Sequence, residues 1–213
     1  MPAAGETRTA AKKKSLHASE RDTPRVRKLR RVFVREVARI PPKKLVSVDE
    51  AGATLAMTRT RGRGPRGERV VGAVPQGHWQ VTTMLGALRW NGVSAAMTVP
   101  AATDTDVFMA FIDQVLAPTL HRDEVVLLDN LTPHRAAAVR KSIEAMGAHV
   151  LYLPPYSPDF NPIEPCWSKI KEHLRATGAR SQSDLENAIA DAFNAITPTD
   201  AKGYFKKCGY VVH

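Results

Sequence analysis

Two aspartates follow apolar segments that are typical of buried β-strands. Asp49 comes directly after the run LVSV (45–48), and Asp129 ends the run EVVLLD (124–129). Ligands of α/β proteins usually bind at the carboxyl ends of neighbouring strands, so we expect these two side chains to lie close together. Both would be ionised at neutral pH, and their mutual repulsion requires a cation. Because Mg²⁺ prefers carboxylate oxygens, the pair predicts a site for a divalent metal ion.

A third acid, Glu164, follows a stretch that is rich in proline. Five of the chain's 15 prolines fall in LPPYSPDFNPIEP (153–165). Proline fixes φ and removes a backbone donor, so this stretch predicts a stiff connection that leads into a helix. In one interpretation Asn161 caps that helix, and Glu164 completes a capping box three residues later. In the other, the stretch holds Glu164 in place as a third metal ligand beside Asp49 and Asp129.

Apolar periodicity and turn residues predict the elements that would carry these acids. Two strand-like segments flank Asn91-Gly92, which is the dipeptide typical of a tight hairpin turn. The predicted order is strand, hairpin, helix, strand, helix, strand and then further helices. The segments are 45–48, 80–90 with 93–99, 103–120, 124–129, 134–147, 149–154, about 161–176, about 183–196 and 198–207. We therefore expect an α/β fold, with an open mixed sheet and helices on both faces.

Positive charge is concentrated near the start of the chain. The 213 residues carry a formal net charge of +10, and residues 1–44 alone hold 14 Lys and Arg against four acids. A basic segment on a neutral body suggests a polyanionic partner, with nucleic acid first. The alternatives are a solvated tail, or an amphipathic helix that covers the core. We predict a disordered basic tail over 1–22, a basic amphipathic helix over 23–44 and one α/β domain over 45–213.

The composition also indicates a compartment. The sequence has no run of 18 apolar residues, and its polar, basic N-terminus lacks the apolar core of a secretory signal. The two cysteines lack metal-ligand spacing and suit a reducing cytosol as free thiols. We therefore expect a cytoplasmic protein with no membrane partner.

Three motifs together resemble the signatures of DDE transposases. They are VDEAG around Asp49, LLDNLTPH from Leu127 to His134, and LPPYSPDFNPIE ending at Glu164. The 34 residues between Asp129 and Glu164 match the spacing of the bacterial insertion-sequence branch (the six-thirty family) of the mariner superfamily. The segments ATLAMTRTRGRGPRGERV and TPTDAKGYFKKCGY also resemble that family, so the likeness begins near residue 20 and reaches the end. The resemblance implies a ribonuclease H-like catalytic domain over 45–213.

The resemblance also implies an activity, which is cut-and-paste transposition by metal-dependent DNA strand cleavage and strand transfer. Asp49, Asp129 and Glu164 would be the catalytic, metal-binding triad. Two Mg²⁺ (or Mn²⁺) ions would be bound, one to activate water or the transposon's 3′-OH and one to stabilise the leaving oxygen. A misplacement of about 1 Å can cost roughly 100-fold in rate, which would explain why prolines stiffen the lead-in to Glu164.

Further residues are candidates for supporting roles or for DNA contacts. Asn130 could orient Asp129 or approach the scissile phosphate, Glu50 neighbours Asp49, and His134 could cap the next helix or bond to the strand end. Basic side chains that could contact the DNA backbone are Arg59, Arg61, Arg63 and Arg66 in an Arg- and Gly-rich segment, and Lys169, Lys171 and Arg175 beyond Glu164. The alternatives are a solvated turn and a solvated basic helix face.

The implied partners are double-stranded DNA, at transposon ends and target, and a second copy of the chain in a synaptic complex. Relatives carry helix-turn-helix modules before the catalytic domain, and residues 1–44 are too few for a paired module. We therefore expect a truncated copy, or the downstream product of a split element whose upstream frame encodes a helix-turn-helix protein. The alternative function is a catalytically silent DNA-binding remnant or regulator of transposition. The expected location is the bacterial nucleoid.

Overall fold

The computed structural model describes residues 17–77, 80–131 and 133–210. Within these residues the strands are β1 (Leu45–Ala53), β2 (Thr82–Arg89), β3 (Gly92–Val99), β4 (Val125–Leu128) and β5 (His149–Tyr152). The α-helices are α1 (Pro24–Val37), α2 (Thr105–Ala110), α3 (Ala137–Ala145), α4 (Ile163–Thr177), α5 (Gln182–Asn194) and α6 (Pro198–Lys207). None of the helices in this part of the chain is long and apolar enough to cross a membrane.

The five strands form one mixed sheet in the order β3-β2-β1-β4-β5. β1, β2 and β3 are antiparallel neighbours, whereas β4 is parallel to both β1 and β5. The predicted hairpin is present, but its turn lies one residue earlier than expected, since Trp90 and Asn91 connect β2 to β3. Gly92 is the first residue of β3 and pairs with Arg89, and its φ of 133° is one that L-residues rarely adopt. β4 and β5 are parallel, so their connection needs a crossover, which α3 supplies.

Helices cover both faces of the sheet, which confirms the mixed α/β architecture expected from the sequence. Side chains alternate along β1, so Val46 and Val48 pack on one face with residues of α2 and α3. Leu45 and Ala51 pack on the opposite face, in a core shared with α1, α4, α5 and α6. Because Asp49 alternates with the two valines, its side chain belongs to the face that α4 covers.

The start of α5 shows where local sequence patterns are ambiguous. Both Ser181 and Ser183 are followed three residues later by an acid, and the sequence favours the box of Ser183 with Glu186. The structure uses Ser181 instead, whose hydroxyl accepts a backbone N–H of the first turn at 3.1 Å. At the start of α6 the sequence predicts a capping box of Thr197 with Asp200, and the structure confirms it.

The basic segment near the start of the chain packs on the domain as a helix. α1 follows Thr23 and buries Val26, Phe33 and Val37. Of the predicted tail, residues 1–16 lie outside the described residues, and Ser19–Asp22 form a 3-10 turn before α1. α1 is therefore an amphipathic helix that covers part of the core, and its exposed residues include Arg27, Arg31 and Arg35.

Candidate active site

β1 and β4 bring Asp49 and Asp129 to the same level of the sheet. Their parallel register pairs Ser47 with Leu127, so each aspartate stands two residues further along its own segment. β4 ends just before Asp129, whereas β1 continues to Ala53 by pairing with β2. The prediction that Asp49 ends its strand is therefore wrong. Asp49 lies in the middle of β1, because antiparallel pairing continues beyond the point where β4 leaves.

α4 supplies Glu164 from its first turn, so that the three acids share a single cleft. Asp49, Asp129 and Glu164 all line a cavity of about 480 Å³. Much of the remaining wall comes from the proline-rich stretch 153–165. Asn130 also lines the cleft, and its side-chain amide donates to a backbone carbonyl of that stretch, at Leu153. Segments that are distant in sequence thus meet at one concave surface.

Asn161 does not cap α4, contrary to the capping interpretation. The residue before α4 is Pro162, and no side chain caps this helix. The Asn161 side chain instead accepts a hydrogen bond from the Ser47 hydroxyl and donates one to Asp49 Oδ2 at 3.4 Å. The Glu164 N–H donates to the Asn161 carbonyl at 3.1 Å. The Glu164 side chain faces the cleft and takes no part in a capping box.

Burial and like charges disfavour three ionised carboxylates in this cleft. Asp49 is 8% exposed, and the loss of water raises its pKa to about 8, with Glu164, Glu50 and Asp129 adding to the increase. The pKa of Glu164 is also raised by loss of water; Lys171 opposes this change and Asp129 adds to it. A divalent cation would offset the repulsion and favour the ionised forms.

The donor chemistry of the cleft suits Mg²⁺ or Mn²⁺, because hard divalent cations bind carboxylate oxygens. Among residues 17–77, 80–131 and 133–210, no three Asp, Glu, His or Cys side chains are close enough to enclose an ion. Asp129 Oδ1 accepts from the Leu131 N–H at 2.9 Å and contacts His134. Binding of an ion would therefore need the carboxylates of the cleft to come closer together than they stand in this structure.

His134 lies between two acids at the end of β4. Its buried imidazole packs against the Phe108 ring, with centroids 4.0 Å apart, and its Nδ1 lies 2.5 Å from Asp129 Oδ1. Its Nε2 lies 2.9 Å from Glu50 Oε2, so the ring is in close contact with a second carboxylate. Burial lowers the pKa of His134, but the two carboxylates outweigh it and raise that pKa to about 9. Of the two alternatives for His134, the structure has the contact with the strand end.

α1 holds the proline-rich stretch from outside the cleft. Arg30 donates to both carboxylate oxygens of Asp159, at 2.9 and 2.7 Å, and to the Ser157 hydroxyl at 2.7 Å. Its guanidinium carbon lies 4.1 Å from the centre of the Phe160 ring, which also packs against Phe33 at 5.3 Å. Sequence reasoning missed these contacts, because the hydrogen-bonded partners are 127 and 129 residues apart and no local pattern signals them.

We expect Arg30→Ala to lower the free energy of unfolding by roughly 1–2 kcal/mol, because charged hydrogen bonds and a cation–π contact are lost together. The partly exposed Asp159 keeps the effect below that of a fully buried pair. Thermal unfolding is the measurement. The matched control is Glu144→Gln, which breaks the exposed Arg140–Glu144 pair and should change stability by less than about 0.5 kcal/mol. Equal effects of the two variants would contradict the prediction.

Gly86 lets α4 lie close over the sheet at the level of the cleft. Gly86 pairs with Asp49 across β1 and β2, and a Cβ built on it would lie 2.9 Å from the Trp167 ring and 3.4 Å from Ile163. Trp167 is buried and packs against Phe193, with ring centroids 5.9 Å apart. The indole therefore has little room to move away from an added methyl group.

Gly86→Ala is expected to cost about 1–3 kcal/mol of unfolding free energy, as overpacked cores usually do. Gly203→Ala in α6 is the matched control, since nothing lies within 4 Å of a Cβ built there. This second change should stabilise the helix by about 0.5–1 kcal/mol. Thermal unfolding of both variants measures the contrast. A Gly86→Ala protein as stable as the parent would contradict it.

The predicted DNA-binding residues lie in two different settings. Arg59, Arg61, Arg63 and Arg66 are exposed in the long connection between β1 and β2. On α4, Lys171 and Arg175 are half-buried. Lys169 is engaged within the protein, since its ammonium donates to Asp200 at 2.6 Å and to the Ala195 carbonyl at 3.2 Å. Lys169 therefore ties α4 to the start of α6, and its contact with DNA stays a prediction.

Comparisons with known proteins agree with this architecture. The Mos1 transposase paired-end complex with left transposon end is 19% identical over 96% of this chain, with a TM-score of 0.76. The Mos1 mariner paired-end complex with Mn has the same identity and coverage, with a TM-score of 0.75. In both, this chain covers 64% of the Mos1 chain. The Mos1 mariner catalytic domain is 17% identical, with a TM-score of 0.65 and 91% of each chain covered.

The sheet order and its helical layers therefore have the ribonuclease H-like fold of the Mos1 catalytic domain, as the sequence predicts. No curated protein matches the chain. A family model described as "DDE superfamily endonuclease" matches residues 44–186, which include Asp49, Asp129 and Glu164. The matched segment contains well over half of the chain's residues, so the chain belongs to the DDE superfamily of endonucleases.

Proposed function

We propose that the chain is the catalytic domain of a transposase, which cleaves DNA strands and transfers them with the help of divalent metal ions. The observation that carries this proposal is the cleft shared by Asp49, Asp129 and Glu164, where burial and like charge favour a cation. Family membership supports it. The Mos1 structures of the same fold, which contain transposon-end DNA and Mn, give further support.

The triad would hold the ions through carboxylate oxygens, and His134 would orient the carboxylate of Asp129. When bound, two Mg²⁺ or Mn²⁺ ions activate the attacking water or 3′-OH and stabilise the leaving oxygen of an in-line displacement. The Nδ1 of His134 contacts Asp129 Oδ1, and this contact limits the orientations open to that carboxylate. Asp49 is held by the pairing of β1 with β2 and by the Asn161 amide, and Glu164 by its place in the first turn of α4.

Glu50 and Asn130 are proposed to support the site through other residues. Glu50 lies on the opposite side of β1 from Asp49 and contacts His134, so it steadies the imidazole. Asn130 lines the cleft and braces the end of β4 against the Leu153 carbonyl. Both are therefore positioning residues in this proposal.

The proposed substrate is double-stranded DNA, at the transposon ends and at the target. The exposed arginines of the β1–β2 connection would bind phosphates, and Lys171 and Arg175 would extend that surface along α4. The 34-residue spacing from Asp129 to Glu164 supports placement in the six-thirty family of bacterial insertion sequences. In that setting we propose a homodimer in a synaptic complex at the nucleoid, with a helix-turn-helix protein from an upstream frame to recognise the ends.

Replacing Arg61 and Arg63 together by Gln is expected to weaken duplex binding about equally for all DNA sequences. Each lost phosphate contact should reduce the slope of log affinity against log salt by about 0.9, so the double variant should lose roughly 2. Fluorescence anisotropy at several salt concentrations measures the slope. Arg140→Gln on α3 is the control and should leave it unchanged. An unaltered slope in the double variant would exclude these arginines from the interface.

The experiment that tests the proposed function is nicking of a labelled transposon-end duplex. The parent chain and Asp129→Ala would be compared with Mg²⁺, with Mn²⁺ and with chelator, each with and without the upstream helix-turn-helix protein. We expect cleavage that requires metal and disappears in Asp129→Ala. Duplex binding without cleavage under every condition would overturn the catalytic proposal and favour a silent regulator of transposition.

A further inference from the structure

Ser47 and Asn161 form a buried polar pair behind the candidate active site. They are 0% and 2% exposed, although Ser47 lies in an otherwise apolar part of β1. Burying a polar group is costly unless it is hydrogen-bonded, and the Ser47 hydroxyl is used twice. It donates to Asn161 Oδ1 and accepts the Ile163 N–H at 3.1 Å. The pair therefore links the middle of β1 to the first residue of α4.

Asn161 extends this link to two members of the candidate triad, Asp49 and Glu164. Its side-chain amide donates to Asp49 Oδ2 at 3.4 Å, and its carbonyl accepts the Glu164 N–H at 3.1 Å. Its own N–H donates to the Pro158 carbonyl at 3.0 Å. Asn161 is thus hydrogen-bonded to the side chain of Asp49 and to the backbone of Glu164. A displacement of either acid would therefore move Asn161 and, through it, the other acid.

The geometry of β1 makes this arrangement possible. Ser47 and Asp49 are two residues apart on one strand, so both side chains point to the face that α4 covers. Among the N–H groups at the start of α4, which lack partners within the helix, that of Ile163 donates to the Ser47 hydroxyl and that of Glu164 to the Asn161 carbonyl. The side-chain amide of Asn161 takes no part in these two contacts, since it donates towards Asp49. A role in holding the carboxylate accounts for this extra contact.

We propose that Ser47 and Asn161 are positioning residues that fix Asp49 and Glu164 relative to each other for binding a divalent ion. This inference rests on the proposed function, because it assigns the two acids to one metal site. Mutation of the groups that orient metal ligands typically lowers metal affinity 10- to 100-fold. A loss of about 10-fold in Mn²⁺ affinity is therefore expected for either Ser47→Ala or Asn161→Ala.

The test measures Mn²⁺ binding to the full chain without DNA, by the electron paramagnetic resonance signal of free Mn²⁺, together with thermal unfolding. Ser181→Ala is the matched control, because it also removes a serine hydroxyl that accepts a backbone N–H at the start of a helix. All three variants should lose stability, but only those at Ser47 and Asn161 should lose Mn²⁺ affinity. The double variant should lose less affinity than the product of the single losses, since both act through one link.

Unchanged Mn²⁺ affinity in the Ser47 and Asn161 variants, or an equal loss in Ser181→Ala, would overturn the positioning role and leave the proposed function standing. A parent chain that binds no Mn²⁺ would overturn the metal site of the proposed function, and this inference with it. If a variant does not fold, a second measurement, made by NMR on the parent chain, tests the same positioning role. Saturating Mg²⁺ should shift the side-chain amide NMR signals of Asn161 but not those of Asn194, and an unmoved Asn161 would overturn the proposal.

Discussion

The Asp49→Asn variant is expected to lose metal-dependent DNA cleavage by roughly 1,000-fold or more and, without metal, to unfold at a higher temperature than the parent. The loss follows because a metal-bound charge in the transition state contributes several kcal/mol, and each 1.36 kcal/mol is tenfold in rate. The gain follows because asparagine removes a carboxyl group whose ionised form is disfavoured by burial and by the charges of Glu164, Glu50 and Asp129. A gain of about 1 kcal/mol would raise Tm by roughly 2–4 °C.

The gain in stability should grow with pH. In the folded protein the pKa of Asp49 is raised from its ordinary value of 3.8 to about 8, so the folded state holds this proton more tightly than the unfolded chain. This group therefore favours folding at low pH, and its contribution is lost as pH rises from about 4 to about 8. Thermal unfolding in chelator at about pH 5 and about pH 8 measures the difference between variant and parent. Adding Mg²⁺ should stabilise the parent and leave Asp49→Asn unchanged.

Asp113→Asn is the control for the removal of a negative charge, since Asp113 is exposed on the π-helical segment Phe111–Leu116 that continues α2. It should alter neither cleavage nor the response of Tm to Mg²⁺. The expectation for Asp49 would be contradicted by a variant that keeps its cleavage rate. It would also be contradicted by a variant that is less stable than the parent in chelator at high pH.

Glu124→Gln is expected to lower the free energy of unfolding by about 3–5 kcal/mol, and Tm by roughly 6–20 °C. Glu124 and Arg89 form a two-pronged ion pair at 2.8 Å, and their side chains are only 8% and 11% exposed. Arg89 also donates to the Thr119 carbonyl at 2.7 Å, and Glu124 accepts the His121 N–H at 2.8 Å. Glutamine keeps the shape of the side chain but leaves a buried guanidinium without its counter-charge.

The Glu124 effect should disappear in acid. Burial raises the pKa of Glu124, but the hydrogen bonds and charge of Arg89 outweigh it and hold that pKa below its ordinary value of 4.5. The pair therefore stabilises the fold above about pH 4.5, and this contribution is lost as pH falls through the lowered pKa. Thermal unfolding between about pH 3 and pH 7 should show the two proteins converging at the acid end. The exposed Glu172→Gln is the control, and a Glu124 variant within about 1 kcal/mol of the parent at neutral pH would contradict the prediction.

Several parts of the fold are predictable because their signals are local. Asn91-Gly92 marks the hairpin between β2 and β3 to within one residue, and Thr197 with Asp200 specifies a helix start within one turn. The apolar runs before Asp49 and Asp129 predict strands that are buried on both sides, as they are. The three acids are candidates from residue type, motif and spacing alone.

The setting of those acids is less predictable, because neighbouring segments decide it. Asp49 stands at the end of its apolar run, yet β2 extends β1 beyond it and places it in mid-strand. Asn161 has the sequence position of a cap, yet its side chain hydrogen-bonds to Ser47 and Asp49 instead. Lys169 resembles a solvated base, yet α6 brings Asp200 within 2.6 Å of it.

By itself the sequence determined the class of fold, the order of its elements and the three acids that are candidates for metal binding. Periodicity, turn residues and motif spacing are properties of short windows, so they can be recognised without the rest of the chain. Only the tertiary structure decided which side chains meet, as in the pairs Asn161 with Asp49, Arg30 with Asp159 and Arg89 with Glu124. These partners lie 112, 129 and 35 residues apart, and burial in a shared core brings them together. No short window contains that information, because burial depends on every segment that covers the site.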